Sequence, residues 1–358
     1  MRCRHCGAEL NTTFVDLGFA PPSNAYLTVE DLISPELYFP LRVRVCESCW
    51  LVQTEDYAKA DQLFRPDYAY FSSVSAGWLE HARLYSARMI DELHLTAGSY
   101  VVEVASNDGY LLKNFVARGI PCLGIEPTAS TAGAAEALGI PVLRRFFGRA
   151  LAEEMRDEGK QADLLICNNV LAHVPDINDF VWGLKVALRP AGTITLEFPH
   201  IMRLIEHIQF DTIYHEHYSY LSLGTATRIL DAAGLRIYHV EELPTHGGSL
   251  RVFACHADDQ RPTTESVSLL LQAEERFGLQ QKGIYAAFQQ KAETIKDDLL
   301  LFLIDKKRRG CKVAAYGAAA KGNTLLNYAG IKPDLLPYVC DAAPSKQGKY
   351  LPGCHIPI

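Results

Sequence analysis

The sequence predicts an α/β protein in which a doubly wound, mostly parallel sheet follows a cysteine-rich module and precedes a second α/β unit. Three observations carry that reading. Short apolar runs alternate with helix-like segments between residues 99 and 199. Two close cysteine pairs, Cys3 with Cys6 and Cys46 with Cys49, lie near the start of the chain. A fresh strand, turn and helix pattern appears over residues 311–341. At 358 residues the chain is also too long for one ordinary core, so roughly two or three domains are expected.

In chain order, residues 75–95 carry apolar positions at three and four spacing and read as a helix. SYVVEVA (99–105) reads as a buried strand and 110–119 as a helix ended by Gly119. A second strand (121–127), a second helix (128–139) and a short third strand (141–143) follow. A fourth strand (162–169), a helix (177–188) and a fifth strand (192–199) complete the alternation, which implies parallel crossovers. RIYHVEELP and SLRVFACH read as an antiparallel pair at one edge, 257–266 as a polar linker and 266–309 as largely helical. The expected divisions are a module at 1–58, a central domain at 59–257 and a C-terminal helical and Rossmann-like domain at 258–358. The chain stops at Ile358 before such a domain would be finished, so that domain is expected to be incomplete.

Composition narrows the function classes. The 35 Lys and Arg are outnumbered by 42 Asp and Glu, for a net charge of −7, so no nucleic-acid partner is expected. No apolar run approaches the roughly 20 residues that cross a bilayer, and the N-terminus has no apolar signal core. No membrane association and a cytoplasmic location are the expectations. Of the ten cysteines, the six outside the pairs are scattered, several in apolar strand-like segments, and read as core thiols.

Cys3-Arg-His-Cys6 and Cys46-Glu-Ser-Cys49 form two CxxC knuckles. Together they offer the four soft ligands of a tetrahedral zinc ion, which leaves no open coordination position. One structural zinc is expected, against the alternative of four reduced or redox-active thiols.

The first strand of the alternating region ends in Glu103-Val-Ala-Ser106-Asn107-Asp-Gly109, the second in Gly-Ile-Glu126-Pro127 and the fourth in Cys-Asn168-Asn169. Ends of parallel strands are where such sheets bind adenosine-containing ligands. The absence of GxGxxG argues against a simple NAD site, and Glu126 stands where an acid can accept both ribose hydroxyls. The ordered set fits S-adenosylmethionine. The plain alternatives are a solvated strand end for Glu126 and a helix cap for Asn168 and Asn169.

The densest constellation is Asp211-Thr-Ile-Tyr214-His215-Glu216-His217-Tyr218-Ser-Tyr220. A histidine can act as a base near neutral pH, a neighbouring carboxylate can orient it, and phenols can donate to a developing oxyanion. A metal reading of His-Glu-His is the alternative. The aromatic segment 66–73 could close over the site or simply pack.

With these motifs in hand, the chain resembles the sugar C-methyltransferases of deoxysugar biosynthesis. The resemblance rests on the paired CxxC module, EVASNDGYLL, GIEP, CNNVLAHV, DTIYHEHYSYLS, HGGSLRVF and YGAAAKGNTLLNY. It implies a central class I S-adenosylmethionine-dependent methyltransferase fold with a zinc-binding N-terminal module and a C-terminal Rossmann-like domain. It implies transfer of a methyl group to C3 of a nucleotide-linked 4-keto sugar, dTDP-linked first and GDP- or CDP-linked next. By motif position, His217 matches the base, Tyr214 and Glu216 its partners, and Tyr68 and His173 residues near the sugar. Ser249, Arg251 and Lys321 are candidates for nucleotide or diphosphate contact. A monomer is the expected state. The competing readings are a small-molecule O- or N-methyltransferase and a zinc-ribbon nucleic-acid-modifying protein.

Overall fold

The computed structural model describes residues 1–57 and 71–358. Its strands among these residues, in chain order, are β1 (Thr12–Ala20), β2 (Phe39–Val45), β3 (Val52–Thr54), β4 (Val101–Val104), β5 (Cys122–Ile125), β6 (Val142–Leu143) and β7 (Ala162–Asn168), followed by β8 (Leu188–Pro199), β9 (Ser219–Tyr220), β10 (Leu235–Leu243), β11 (Ser249–His256), β12 (Ala315–Tyr316) and β13 (Val339–Cys340). Contacts divide the chain into two compact units. One comprises residues 1–63, 201–220 and 275–358, and the other residues 64–200 and 221–274. Both are assembled from separated stretches of sequence.

The unit 64–200/221–274 holds a seven-stranded sheet in the order β10-β11-β8-β7-β4-β5-β6. Neighbouring strands from β6 to β8 pair in parallel, while β11 runs antiparallel to both β8 and β10. The expected antiparallel pair is present, with β11 lying inside the sheet and β10 at its edge. Parallel strands need cover on both faces, and β4 and β5 are accordingly buried along their whole length. Strand order reverses between β4 and β7, so their carboxyl ends diverge into a crevice suited to a ligand.

Local chemistry sets the element ends. Ser75 accepts the Trp78 N–H at 3.2 Å and starts the helix Ala76–Glu92. Asp176, not the Asn168–Asn169 pair, caps the helix Ile177–Ala187 by accepting the Asp179 N–H at 3.0 Å. The helix expected over 110–119 is only Lys113–Val116, because the chain first makes a turn through Gly109 at φ +77°. A Cβ at Gly109 would stand 2.4 Å from the Ile140 side chain, so only glycine serves there.

The unit 1–63/201–220/275–358 holds a four-stranded sheet ordered β1-β2-β3-β9 and a two-stranded parallel pair, β12-β13. The β1-β2-β3 pairings are antiparallel, and β9, drawn from the His-Glu-His segment, pairs with β3 through Val52–Tyr220 and Gln53–Ser219. One core joins Phe14, Leu41 and Val43 to Ile205, Phe210, Tyr285 and Phe288. The helix Ala320–Tyr328 crosses from β12 to β13, the expected α/β turn of the C-terminal region.

Glu274 has a structural role that its sequence neighbourhood did not signal. It is buried, and its carboxylate accepts the Leu223 N–H at 2.5 Å, the Gly224 N–H at 2.9 Å and His200 Nε2–H at 2.7 Å. It thereby serves the free donors at the start of the helix Leu223–Ala232 and carries favourable charge there. Glu274→Gln keeps the size but replaces one acceptor oxygen with a donor facing donors. Urea unfolding should show a loss of about 2–4 kcal/mol.

Candidate active site

The four knuckle cysteines converge. Their sulfurs all lie within 4.8 Å of one another, with Cys3 to Cys49 and Cys6 to Cys46 each at 3.5 Å. Zinc–sulfur bonds of about 2.3 Å in a tetrahedron set sulfurs about 3.8 Å apart, so the donor set fits that ion. Gly7 (φ +74°) and Trp50 (φ +63°) occupy equivalent turn positions, returning their N–H groups to the carbonyls of Cys3 and Cys46. Hydrogen bonding from Cys49 lowers the Cys3 thiol from its usual value, against the opposing effect of burial. Gln53, fully buried, donates its Nε2–H to Cys3 Sγ at 3.2 Å and supports it from behind. Of the other cysteines, Cys122, Cys167, Cys255 and Cys354 are core thiols, whereas Cys311 and Cys340 are exposed.

The candidate cofactor residues gather at the carboxyl ends of β4, β5 and β7. Glu126 accepts the N–H groups of Asn107 and Thr128, each at 3.0 Å, and the Thr128 hydroxyl at 2.5 Å. These bonds fix the carboxylate at the tip of β5. Ser106 packs so closely against β5 that a Cβ at Gly124 would meet its hydroxyl at 2.4 Å. Ala105, Asn107 and Asn169 hold positive φ of 54°, 49° and 55°, a conformation costly for residues with side chains and common at binding sites. Pro127, half-buried, leads out of β5 into the helix Ala129–Ala137.

Several buried polar atoms here lack a protein partner: Glu103 Oε2, the Ser106 hydroxyl, Asp108 Oδ1, Asn168 Oδ1 and Asn169 Oδ1. Such atoms are costly unless a ligand or water satisfies them. All but the serine hydroxyl are oxygens of acids or amides, which suits the hydroxyls and ammonium group of S-adenosylmethionine. Burial, with Asp108 and Glu126 adding like charge, raises Glu103 well above the usual carboxylate range. Asn107 Oδ1 and Asp108 Oδ2 also accept the N–H groups of Ser72 and Ser73, at 2.9 and 3.0 Å.

Beside Asn169 the sheet carries a polar network. Asn169 Nδ2 donates to His246 Nε2 at 3.3 Å, and the Asn169 N–H donates to the Glu197 carbonyl at 2.7 Å. The Glu197 carboxylate is fully buried and accepts from Arg251 Nη2 at 2.7 Å and the Thr245 hydroxyl at 3.0 Å. Its Oε2 also lies 2.9 Å from His81 Nε2. Arg251 is buried over the Tyr85 ring, and Ser249 donates to the Thr245 carbonyl at 2.9 Å. In this unit, then, both proposed substrate contacts of β11 are engaged by protein groups. His173 ends the short turn Leu171–His173 after β7.

In the other unit, the His-Glu-His segment turns its side chains apart. His217 is buried, and its Nδ1–H donates to the Thr212 carbonyl at 2.7 Å. A carbonyl can only accept, so Nδ1 carries a proton, and in a neutral ring Nε2 would be the acceptor nitrogen. The Tyr214 ring lies 4.0 Å from the His217 ring, centre to centre. Both Glu216 oxygens accept from Asn24 Nδ2, at 2.8 and 3.0 Å. His215 instead reaches the Pro40 carbonyl at 3.3 Å, and burial lowers its affinity for a proton. Lys321 lies in the first turn of the helix Ala320–Tyr328, whose Thr324 donates to the Ile213 carbonyl at 2.9 Å. Burial raises Asp211, and the Lys321 charge pulls it the other way. Tyr68 lies outside the described residues.

Sequence inspection did not single out Asn24, Gln53, Glu197 or His246. For His246 a signal existed, its place before Gly-Gly in a turn between two strands.

Two expectations follow. Protein purified without added metal should carry about one zinc per chain by elemental analysis, and Cys49→Ala should lose both the metal and local stability. Glu126→Ala should weaken S-adenosylmethionine binding about tenfold or more by calorimetry. Unchanged affinity removes Glu126 from the site.

Three family models match successive stretches of the chain. Residues 3–64 match a zinc binding domain, 78–240 a methyltransferase domain, and 244–358 the C-methyltransferase C-terminal domain. The C-methyltransferase NovU of Streptomyces niveus is 33% identical over 99% of this chain and 84% of its own. Among solved structures, magnesium protoporphyrin IX methyltransferase from Synechocystis with bound SAH is 16% identical, covering 50% of this chain and 84% of that one (TM-score 0.41). An S-adenosylmethionine-dependent methyltransferase from Clostridium acetobutylicum is 11% identical, covering 55% and 95% (TM-score 0.41). Among the described residues no helix is long and apolar enough to cross a membrane. The near full-length identity to NovU and the three matched domains establish the chain as an S-adenosylmethionine-dependent C-methyltransferase, a member of the family its motifs resemble.

Proposed function

We propose that the chain methylates C3 of a nucleotide-linked 4-keto deoxysugar, dTDP-linked first and GDP- or CDP-linked next, with His217 as the general base. The observation that carries this reading is the hydrogen bond from His217 Nδ1–H to the Thr212 carbonyl. It fixes the ring and makes Nε2 the basic nitrogen. C-methylation beside a ketone needs such a base, because the carbon must first lose a proton.

His217 Nε2 takes the C3 proton, and the electron pair of the broken C–H bond moves into the enolate, placing charge on the ketone oxygen. Phenol and imidazole donors, with Tyr214, Tyr68 and His173 as candidates, stabilise that oxygen. S-adenosylmethionine, held by the strand-end residues, would supply an electrophilic methyl group to C3 and leave as the neutral thioether. Glu216, held by Asn24, is assigned as a partner of the base within the same segment. Glu103, Ser106, Asn107, Gly109, Glu126, Pro127, Asn168 and Asn169 are assigned to the methyl donor. Ser249, Arg251 and Lys321 are assigned to nucleotide or diphosphate, with the β11 pair acting through their buried networks. The four cysteines hold a structural zinc and take no part in proton transfer.

His217→Asn should lower methyl transfer about 10²–10⁴-fold while leaving donor affinity unchanged. His215→Asn should cost less, since His215 reaches the Pro40 carbonyl instead. Turnover should be followed on a panel of dTDP-, GDP-, CDP- and UDP-linked 4-keto sugars. Near-normal turnover by His217→Asn, with loss in His215→Asn or Tyr214→Phe, moves the base to that residue.

A further inference from the structure

The zinc knuckles and the His-Glu-His segment share one short strand. Cys3 Sγ accepts the Gln53 Nε2–H at 3.2 Å, and Gln53 Oε1 accepts the Arg4 N–H at 2.9 Å. Arg4, the residue after Cys3, also donates through Nη2 to the Thr54 carbonyl at 2.8 Å, and its guanidinium lies 5.3 Å from the centre of the Tyr218 ring. The next links reach the candidate base. The Thr54 hydroxyl donates to the His217 carbonyl at 2.6 Å, and the Thr54 N–H donates to the Tyr218 carbonyl at 3.1 Å. Gln53 and Thr54 are 0% and 1% exposed, so neither side chain reaches bulk water.

We infer that Thr54 is a positioning residue for His217, and that Gln53 and Arg4 couple that position to the metal-binding knuckle; the inference rests on His217 being the base. The physical argument is one of constraint. The β3-β9 pairing consists of only two residue pairs, too few to fix a catalytic side chain. The Thr54 hydroxyl adds a bond at the base's own carbonyl, while the bond from Nδ1–H to Thr212 fixes its ring. Backbone and ring are thus held from opposite ends of one residue. Without the metal, the knuckle that bonds Gln53 and Thr54 loses its cross-link, and the base loses its reference point. The zinc then contributes to rate through geometry and not through chemistry.

The test is Thr54→Val, which keeps shape and removes the hydroxyl, with Thr54→Ser as the conservative rescue. Three readouts are taken on the full chain: zinc content, S-adenosylmethionine affinity, and deuterium incorporation at C3 of a dTDP-linked 4-keto-6-deoxysugar. Thr54→Val should slow C3 exchange about tenfold or more at unchanged zinc content and donor affinity, and Thr54→Ser should restore it. Exchange at the native rate in Thr54→Val overturns the inference. Gln53→Leu supplies an arm independent of how Thr54→Val folds. It should release zinc faster to a chelator and slow exchange even when zinc-replete; faster release with native exchange also overturns the coupling. His217→Asn separates the two readings. Exchange that survives in His217→Asn refutes the base assignment itself, whereas exchange lost there but kept in Thr54→Val refutes only the coupling.

Discussion

The cysteine cluster is the constraint on which the unit 1–63/201–220/275–358 depends. That unit is made of three stretches far apart in sequence, and bringing such stretches together costs loop-closure entropy. Its sheet is modest, with β3 of three residues and β9 of two. Four sulfurs within 4.8 Å allow a single ion to tie residues 3–6 to residues 46–49, setting the frame in which β3 lies. The hydrophobic core then closes around it, with Phe14 stacked on Phe288 at 4.3 Å and Trp50 on Tyr285 at 6.2 Å. The His-Glu-His segment adds the last strand and brings His217 under the hydroxyl of Thr54.

The unit 64–200/221–274 follows a different constraint. A parallel sheet satisfies its own backbone groups and leaves the strand ends as the place where polar chemistry collects. There Glu103, Asp108, Asn168 and Asn169 each hold one buried side-chain oxygen without a protein partner. Positive φ at Ala105, Asn107 and Asn169 shows that the backbone itself is bent to present them. Glu197 ties the surrounding pieces together: its carbonyl takes the Asn169 N–H, and its carboxylate takes Arg251 and Thr245.

The parallel strands were legible because burial on both faces writes them as largely apolar runs, as in Leu164–Cys167, with Glu103 the one acid inside Val101–Val104. The knuckles were legible because zinc demands a fixed ligand spacing. The strands of the N-terminal sheet were not. β1 breaks register between Thr13 and Val15 and again between Asp16 and Phe19, so its alternation is interrupted. β9 is two residues long and carries no period at all. The site residues in motifs could be named from sequence, yet their partners could not. Asn24 and Thr54 are single polar residues whose roles exist only once distant segments meet, and the same holds for Glu274.

The central claim is that methyl transfer goes through a carbanion formed by a base of this chain. The most direct measurement omits transfer altogether. The native protein is incubated in deuterated water with a dTDP-linked 4-keto-6-deoxysugar and S-adenosylhomocysteine in place of the methyl donor, and C3 is followed by NMR. The account predicts enzyme-dependent replacement of one C3 proton by deuterium, which needs no methyl donor. A protein that methylates this sugar at C3 when the donor is present, yet leaves its C3 protons unexchanged and shows no isotope effect on their removal, would contradict it.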